Sequence, residues 1–264
     1  MQREQVELQG IQFPASIRDE GASVELLNIE GANLPKGLED WVSENHLASE
    51  RQWGIISQAR SKEEILLLAL SFRKVLRTRY KMQAGRLTKQ QEESTEPELG
   101  EFHFRRDGAM ELYSVGAKQR NMVLQSLGEA LGDKQAAKPL FLSKESMLSL
   151  MSEATEVSSV SLSGIGNPFF NEMSLSGADP SNSRTFKEML SSGVIKSFRA
   201  RYHIDSSAGS EGGAQGKLDS LLVTVSSNCK VRFYAGGQVV LSQSDVEEFL
   251  ARVRKLASSE VATE

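Results

Sequence analysis

SKEEILLLALSFRKVLRTRYKM, residues 61–82, recurs in weaker form as SRTFKEMLSSGVIKSFRARYHI, residues 183–204. Both copies end in the same short basic phrase, which is Arg-Thr-Arg-Tyr at 77–80 and Arg-Ala-Arg-Tyr at 199–202. Self-similarity at a long period is typical of a chain built from repeated structural units. The sequence therefore predicts two pseudo-repeated α+β halves, covering residues 1–134 and 140–258.

A second echo follows each basic phrase. Phe102–Tyr113 and Val223–Tyr234 both have a strand–turn–strand pattern, turned by Asp107-Gly108 in the first half and by Asn228-Cys229 in the second. Asp-Gly between alternating apolar residues is a strong hairpin signal. We therefore expect each half to be an antiparallel sheet that helices cover on one side.

The remaining elements are predicted from caps, periodicity and breakers. Ser61–Leu70 is predicted to be a helix, because Ser61 and Glu64 form a capping box. Phe72–Met82 is predicted to be a strand, although a helix running on to Arg79 is an alternative. Gly193 and Val194 interrupt the helix at the matching place in the second copy and favour the strand.

The other predicted strands are 23–29, 53–58, 157–162, 172–176 and 194–204, and the other predicted helices lie near 36–45, 118–131, 143–154, 184–190 and 244–256. Residues 83–100 and 205–219 are predicted to be polar loops, and residues 259–264 a frayed tail.

Composition narrows the class of protein. The chain has 264 residues, a formal net charge of −4 and a single cysteine, Cys229. The negative charge argues against bulk electrostatic coating of nucleic acid, and one cysteine excludes an internal disulfide framework. No apolar run approaches the roughly 18 residues of a membrane span, and residues 1–8 lack a signal-peptide core. We expect a cytoplasmic protein without a membrane contact.

Period-two alternation along the strands assigns side chains to faces. Phe102, Phe104, Met110 and Leu112 are expected to meet helices, as are Val223, Val225, Val231 and Phe233. The opposite face of the hairpins, and one face of the repeated basic strand, are predicted to offer basic and imidazole side chains at matched places in the two halves. These candidate binding residues are Arg77, Arg79, Lys81, His103, Arg105, Arg199, Arg201, His203 and Arg232.

Two functions are compatible with these residues. Arginine donates to phosphate and tyrosine stacks on bases, so the face predicts a module that binds nucleic acid or an acidic partner. The alternative is a structural or assembly subunit of a protein complex, in which the basic residues are solvated or paired with Glu92, Glu93, Glu96 and Glu98.

One family resemblance concerns topology. Phe104-Arg-Arg-Asp-Gly108, Met110-Glu-Leu112 and Gly116-Ala-Lys118 together resemble loosely the repeat unit of TATA-box-binding proteins, over about fifteen residues of one half. That family has two tandem α+β halves with a curved sheet on DNA. The resemblance implies a topology and does not transfer a function.

Catalytic and ligand motifs are not favoured by the sequence. His46, His103 and His203 are far apart and lack metal-ligand spacing, and Gly212–Lys217 departs from the phosphate-binding loop pattern. Cys229 has no positioned histidine nearby in sequence. We therefore expect a protein that is not an enzyme and that holds no cofactor or metal.

Overall fold

A computed structural model of the chain describes residues 22–29, 40–45, 53–60, 64–83, 85–105, 108–113, 115–132, 137–165, 171–203, 220–234 and 243–258. The fold is mixed α+β, and its sheet is mostly antiparallel. Among the described residues, no helix is long and apolar enough to cross a membrane.

The strands are β1 (Ala22–Ile29), β2 (Trp53–Arg60), β3 (Glu64–Gln83), β4 (Arg86–Arg105), β5 (Ala109–Tyr113), β6 (Ala137–Pro139), β7 (Phe141–Leu142), β8 (Glu156–Ser163), β9 (Glu172–Ser176), β10 (Val194–His203), β11 (Ser220–Ser226), β12 (Lys230–Phe233) and β13 (Ala257–Ser258). The helices are α1 (residues 40–44), α2 (Ala117–Leu131), α3 (Lys144–Glu153), α4 (Arg184–Leu190) and α5 (Gln243–Leu256).

The chain divides into two compact units. Met1–Ile29 and Lys138–Glu264 form one, called here the split unit, and Glu30–Ala137 forms the other, called the inserted unit. The predicted halves, 1–134 and 140–258, differ from these units mainly in the placement of β1. Ala22 lies opposite Phe233 and Glu25 opposite Lys230, so β1 pairs with β12 and extends the sheet built by the second half.

The split unit is a sheet in the strand order β1–β12–β11–β10–β8–β9. Its apolar side packs on α3 and α5: the Tyr202 hydroxyl donates to the Leu150 carbonyl at 2.9 Å, and the Phe249 ring contacts Tyr202 and Phe233. Val223, Val225, Val231 and Phe233 are at most 1 % exposed, which confirms their predicted burial.

The inserted unit is a sheet in the strand order β2–β3–β4–β5. Helix α2 lies against the base of its two long strands, where the Gln119 side-chain amide donates to the Ala69 carbonyl at 3.0 Å. Gly100 permits this approach, since a Cβ there would lie 2.5 Å from Gln119 Oε1. Trp41 of α1 donates to the Ser126 hydroxyl of α2 at 2.9 Å.

Two sequence predictions in this unit are wrong. Glu64–Leu70 is the start of strand β3 and not a helix. Leu66, Leu67 and Ala69 are at most 3 % exposed, so both faces of this strand are covered. A strand buried on both faces is a continuous apolar run, which periodicity alone cannot distinguish from a helix.

The predicted polar loop at 83–100 is strand β4 for almost all of its length. Its pairing with β3 runs without a register shift from Glu64 opposite Arg105 to Gln83 opposite Arg86. Apolar alternation is weak here because much of this strand is exposed to solvent. The predicted loop 205–219 and the predicted tail 259–264 lie outside the described residues.

The repeat is only partly reflected in secondary structure. Glu64–Leu68 lies on a strand, whereas the aligned Phe186–Leu190 lies in helix α4. The aligned basic phrases both lie on strands, β3 and β10, and both predicted hairpins are present as β4–β5 and β11–β12. The pseudo-repeat as a whole, and the loose likeness to TATA-box-binding proteins, stay predictions.

Candidate nucleic-acid interface

Strands β3 and β4 extend beyond the rest of their sheet. Strand β2 pairs with β3 from Ile65 to Ser71, and β5 pairs with β4 from Glu101 to Phe104. Residues 72–83 and 86–99 continue past these neighbours as a two-stranded segment, called here the ribbon, and Gly85 turns its tip with φ +74°. At about 3.3 Å per residue, the ribbon is about 40 Å long.

The ribbon has two faces, set by the alternation of side chains and by the pairing register. On one face, called the basic face, lie Arg77, Arg79, Lys81 and Arg86, all exposed. This face continues the side of the sheet on which α2 packs, because Gly100 lies opposite Ala69 and a Cβ on Gly100 would point at Gln119 of α2. It is the side opposite to the one that carries His103. Three of the four residues were predicted from sequence, and Arg86 was missed because it lay in the predicted loop.

Positive charge is concentrated at the far end of the ribbon. Between residues 77 and 91 the chain carries five basic residues, Arg77, Arg79, Lys81, Arg86 and Lys89, and no acidic residue. The first acidic side chains, Glu92 and Glu93, lie opposite Arg77 and Leu76, near the middle of the ribbon. The end of the ribbon is therefore basic on a chain whose net charge is negative.

Acidic partners neutralise charge nearer the base of the ribbon. The Glu93 carboxylate lies 2.6 Å from Lys74 Nζ, and this hydrogen bond raises the pKa of Lys74. The Glu92 carboxylate lies 3.2 Å from Arg79 Nε. The pairing of basic residues with these two glutamates was foreseen as the alternative to binding, but both glutamates lie on a strand and not in a loop.

The second predicted group lies on the split unit. Arg199 of β10 is opposite Thr224 of β11, which is opposite Arg232 of β12, so the three residues form a row across one face. The Arg199 and Arg232 guanidinium carbons lie 4.3 and 5.2 Å from the centre of the Tyr234 ring, a cation–π arrangement.

Arg201 and His203 lie on the same face of β10. Arg201 is half-buried, lies 3.5 Å from the Glu156 carboxylate and donates to the Ser220 hydroxyl at 3.2 Å. His203 is exposed. The split unit thus brings its predicted residues together, but aromatic and acidic neighbours already engage three of them.

His103 and Arg105 are not on an open face. His103 is 5 % exposed, stacks on Tyr113 with ring centres 4.5 Å apart and lies 3.4 Å from the Glu101 carboxylate. Arg105 donates a bidentate pair of hydrogen bonds to the Glu111 carboxylate, at 2.9 and 3.2 Å. Polar groups can be buried when they form hydrogen bonds with one another. The face of this hairpin that was predicted to be accessible is therefore a buried polar cluster.

Cys229 is also buried, and burial raises the pKa of its thiol to about 12. It occupies the predicted turn of the second hairpin with φ +52°. A buried, protonated thiol is a poor nucleophile.

Comparison with known proteins adds no identity to these observations. No protein-family model matches the sequence, and no curated protein matches it.

Proposed function

We propose that this chain is a non-enzymatic nucleic-acid-binding module that contacts phosphate groups through the far end of the ribbon. The observation that carries the proposal is the cluster of Arg77, Arg79, Lys81, Arg86 and Lys89 on an exposed, two-stranded segment, within a stretch of sequence (77–91) that has no acidic residue. Of these five residues, Arg79 is paired with Glu92. Lysine and arginine contacts to phosphate supply most non-specific affinity for nucleic acid.

The shape of the ribbon favours a duplex as the ligand. The major groove of B-DNA, about 12 Å wide, admits a two-stranded β-ribbon. Arginine on the basic face can reach phosphate or guanine edges. An acidic protein that uses the same charges is the competing ligand, and the test below separates the two.

The proposal is tested by fluorescence anisotropy with a labelled 30-base-pair DNA duplex, over a series of salt concentrations. Five phosphate contacts give a log–log salt slope of about −4. The variant Lys81→Gln/Arg86→Gln/Lys89→Gln is expected to bind at least about tenfold more weakly at low salt, with a slope smaller by about 3.

Two matched variants serve as controls. Arg184→Gln/Lys187→Gln/Lys255→Gln removes the same charge from exposed positions elsewhere and is expected to leave binding unchanged. Arg199→Gln/Arg201→Gln/Arg232→Gln reports whether the row on the split unit contributes. The proposal would be overturned if the ribbon variant bound the duplex as tightly as the wild-type protein does. It would also be overturned if the wild-type protein bound neither duplex DNA, single-stranded DNA nor RNA at low salt.

A second candidate function is an assembly subunit of a protein complex. The observation that favours it is the set of large apolar side chains exposed on the other face of the ribbon, including Leu76, Tyr80 and Met82 at 62–67 % exposure. A partner that stays bound in high salt and is released by substitutions on that face, but not by those on the basic face, would support it.

A further inference from the structure

The ribbon face opposite the basic face is largely apolar, and it is called here the apolar face. It continues from the half-buried Leu70 at the base of the ribbon. Its exposed large side chains, with their exposed fractions, are Phe72 (38 %), Leu76 (67 %), Tyr80 (62 %), Met82 (67 %), Leu87 (66 %) and Leu99 (46 %). An isolated two-stranded ribbon is only marginally stable in water. So many exposed apolar side chains on one face indicate an interaction surface.

The positions of these residues are symmetric along the ribbon. On β3, Phe72 and Tyr80 lie four residues on either side of Leu76, and Leu70 and Met82 lie six residues on either side of it. On β4, Leu87 and Leu99 lie six residues on either side of Glu93, which is the residue opposite Leu76. These apolar residues are therefore placed symmetrically on either side of the level of Leu76.

We propose that the apolar face is covered by the same face of a second copy of this chain, related by a twofold axis through Leu76. Two ribbons would stack antiparallel, with Leu76 against its own copy and Phe72 against Tyr80. Leu70 and Leu99 at the base would meet Met82 and Leu87 at the partner's tip. A twofold interface requires such a self-complementary pattern, and the order of these residues supplies it.

The charges on the apolar face are compatible with the antiparallel arrangement. Antiparallel stacking separates the two copies of Lys74 and of Lys89 along the ribbon. Only Glu93 stays near the axis, where its carboxylate is already paired with Lys74 at 2.6 Å.

The dimer covers Tyr80 and Lys89 but leaves the basic face outward, and it does not depend on nucleic-acid binding. A face about 40 Å long and about 10 Å wide buries about 400 Å² on each copy, or about 800 Å² in total, which is smaller than a standard specific interface and is in the range of weak, transient association. The dimer is therefore expected to dissociate in the micromolar range, and its test must span that range.

Sedimentation equilibrium of the full chain, from about 1 to about 300 µM, tests association directly. Leu76→Glu places two extra carboxylates at the axis and is expected to weaken dimerisation at least tenfold. Because Leu76 is 67 % exposed, the substitution is not expected to impair folding. Gln90→Glu makes the same charge change on the basic face and is expected to leave the dimer intact.

Cross-linking tests the register. Stacked sheets lie about 10 Å apart, so Leu76→Cys is expected to give a covalent dimer with a bismaleimide of that reach. Met82→Cys is the matched control, because its two copies would lie about 40 Å apart in the antiparallel register. Wild-type protein is expected to give no cross-link, since Cys229 is buried.

A chain that is monomeric throughout the concentration range would overturn the proposal. So would a dimer that Leu76→Glu leaves unchanged, or one in which Met82→Cys cross-links as well as Leu76→Cys. A failure of DNA binding, by contrast, would leave the dimer proposal unaffected.

Discussion

The carboxylate of Glu111 shows how a charged residue is accommodated inside the inserted unit. Glu111 is fully buried, and its two oxygens accept hydrogen bonds from Arg105 at 2.9 and 3.2 Å and from the Tyr113 hydroxyl at 2.7 Å. Charge-assisted bonds to arginine offset the desolvation of a buried carboxylate. We infer that this residue stabilises the β4–β5 hairpin and does not bind a ligand.

Glu111→Ala is expected to lower the free energy of unfolding by about 3–5 kcal/mol, because Arg105 and Tyr113 lose the acceptor of three hydrogen bonds. Urea denaturation, followed by tryptophan fluorescence, measures this change. Glu93→Ala is the comparison: its ion pair with Lys74 is exposed, and its removal is expected to cost about 0–1 kcal/mol. Equal costs for the two variants would mean that the buried cluster is not a stabilising feature.

At the scale of elements, the ribbon combines a buried base with an exposed far end. Leu67 and Ala69 are 1 % exposed in the middle of the sheet, whereas Tyr80 and Met82, on the same strand, are more than 60 % exposed. Local stability along β3 is therefore expected to fall from base to tip, because few tertiary contacts support the far end.

Amide hydrogen exchange measures this gradient in dilute, monomeric protein. The amides of Leu67 and Ala69 are expected to exchange at least about tenfold more slowly than those of Arg79 and Lys81. Strand β10 is the internal reference, since it is paired on both sides along most of its length. Uniform protection along β3 would contradict the expected gradient.

The pattern of burial in each element determined whether it could be predicted from the sequence. Two kinds of element were predictable: hairpins with Asp-Gly or Asn-Cys turns, and helices with a Ser cap and one apolar face. Each buries one face, and that face imposes its period on the sequence. Residues 64–70 are covered on both faces, and much of 86–99 is exposed to solvent, so neither segment shows a two-residue period. The basic residues of β3 were found, while Arg86 and Lys89 were missed with their strand.

At the scale of the whole molecule, the inserted unit lies within the sequence of the split unit. The Leu140 amide donates to the Leu26 carbonyl at 3.4 Å, so the two segments that flank the insertion run side by side within the split unit. Insertions are tolerated when their ends are close together.

Replacing residues 30–137 with a Gly/Ser linker of about five residues is expected to leave a split unit that unfolds cooperatively. Residues 138–264 alone lack β1, the strand that pairs with β12, and are expected to melt at a lower temperature. Thermal melts monitored by far-UV circular dichroism compare the two proteins. A linker variant no more stable than 138–264 would show that β1 is not an integral part of that unit.

The charged tip has a consequence for solubility. A ribbon without neighbouring strands presents rows of backbone donors and acceptors along its edges, and such edges can recruit further strands and seed fibrils. Lysine at an exposed edge is a known deterrent, because adding another copy in register would bring like charges together. Lys81 and Lys89, considered above as ligand contacts, therefore also protect the chain against uncontrolled polymerisation, and neutralising them is expected to favour aggregation.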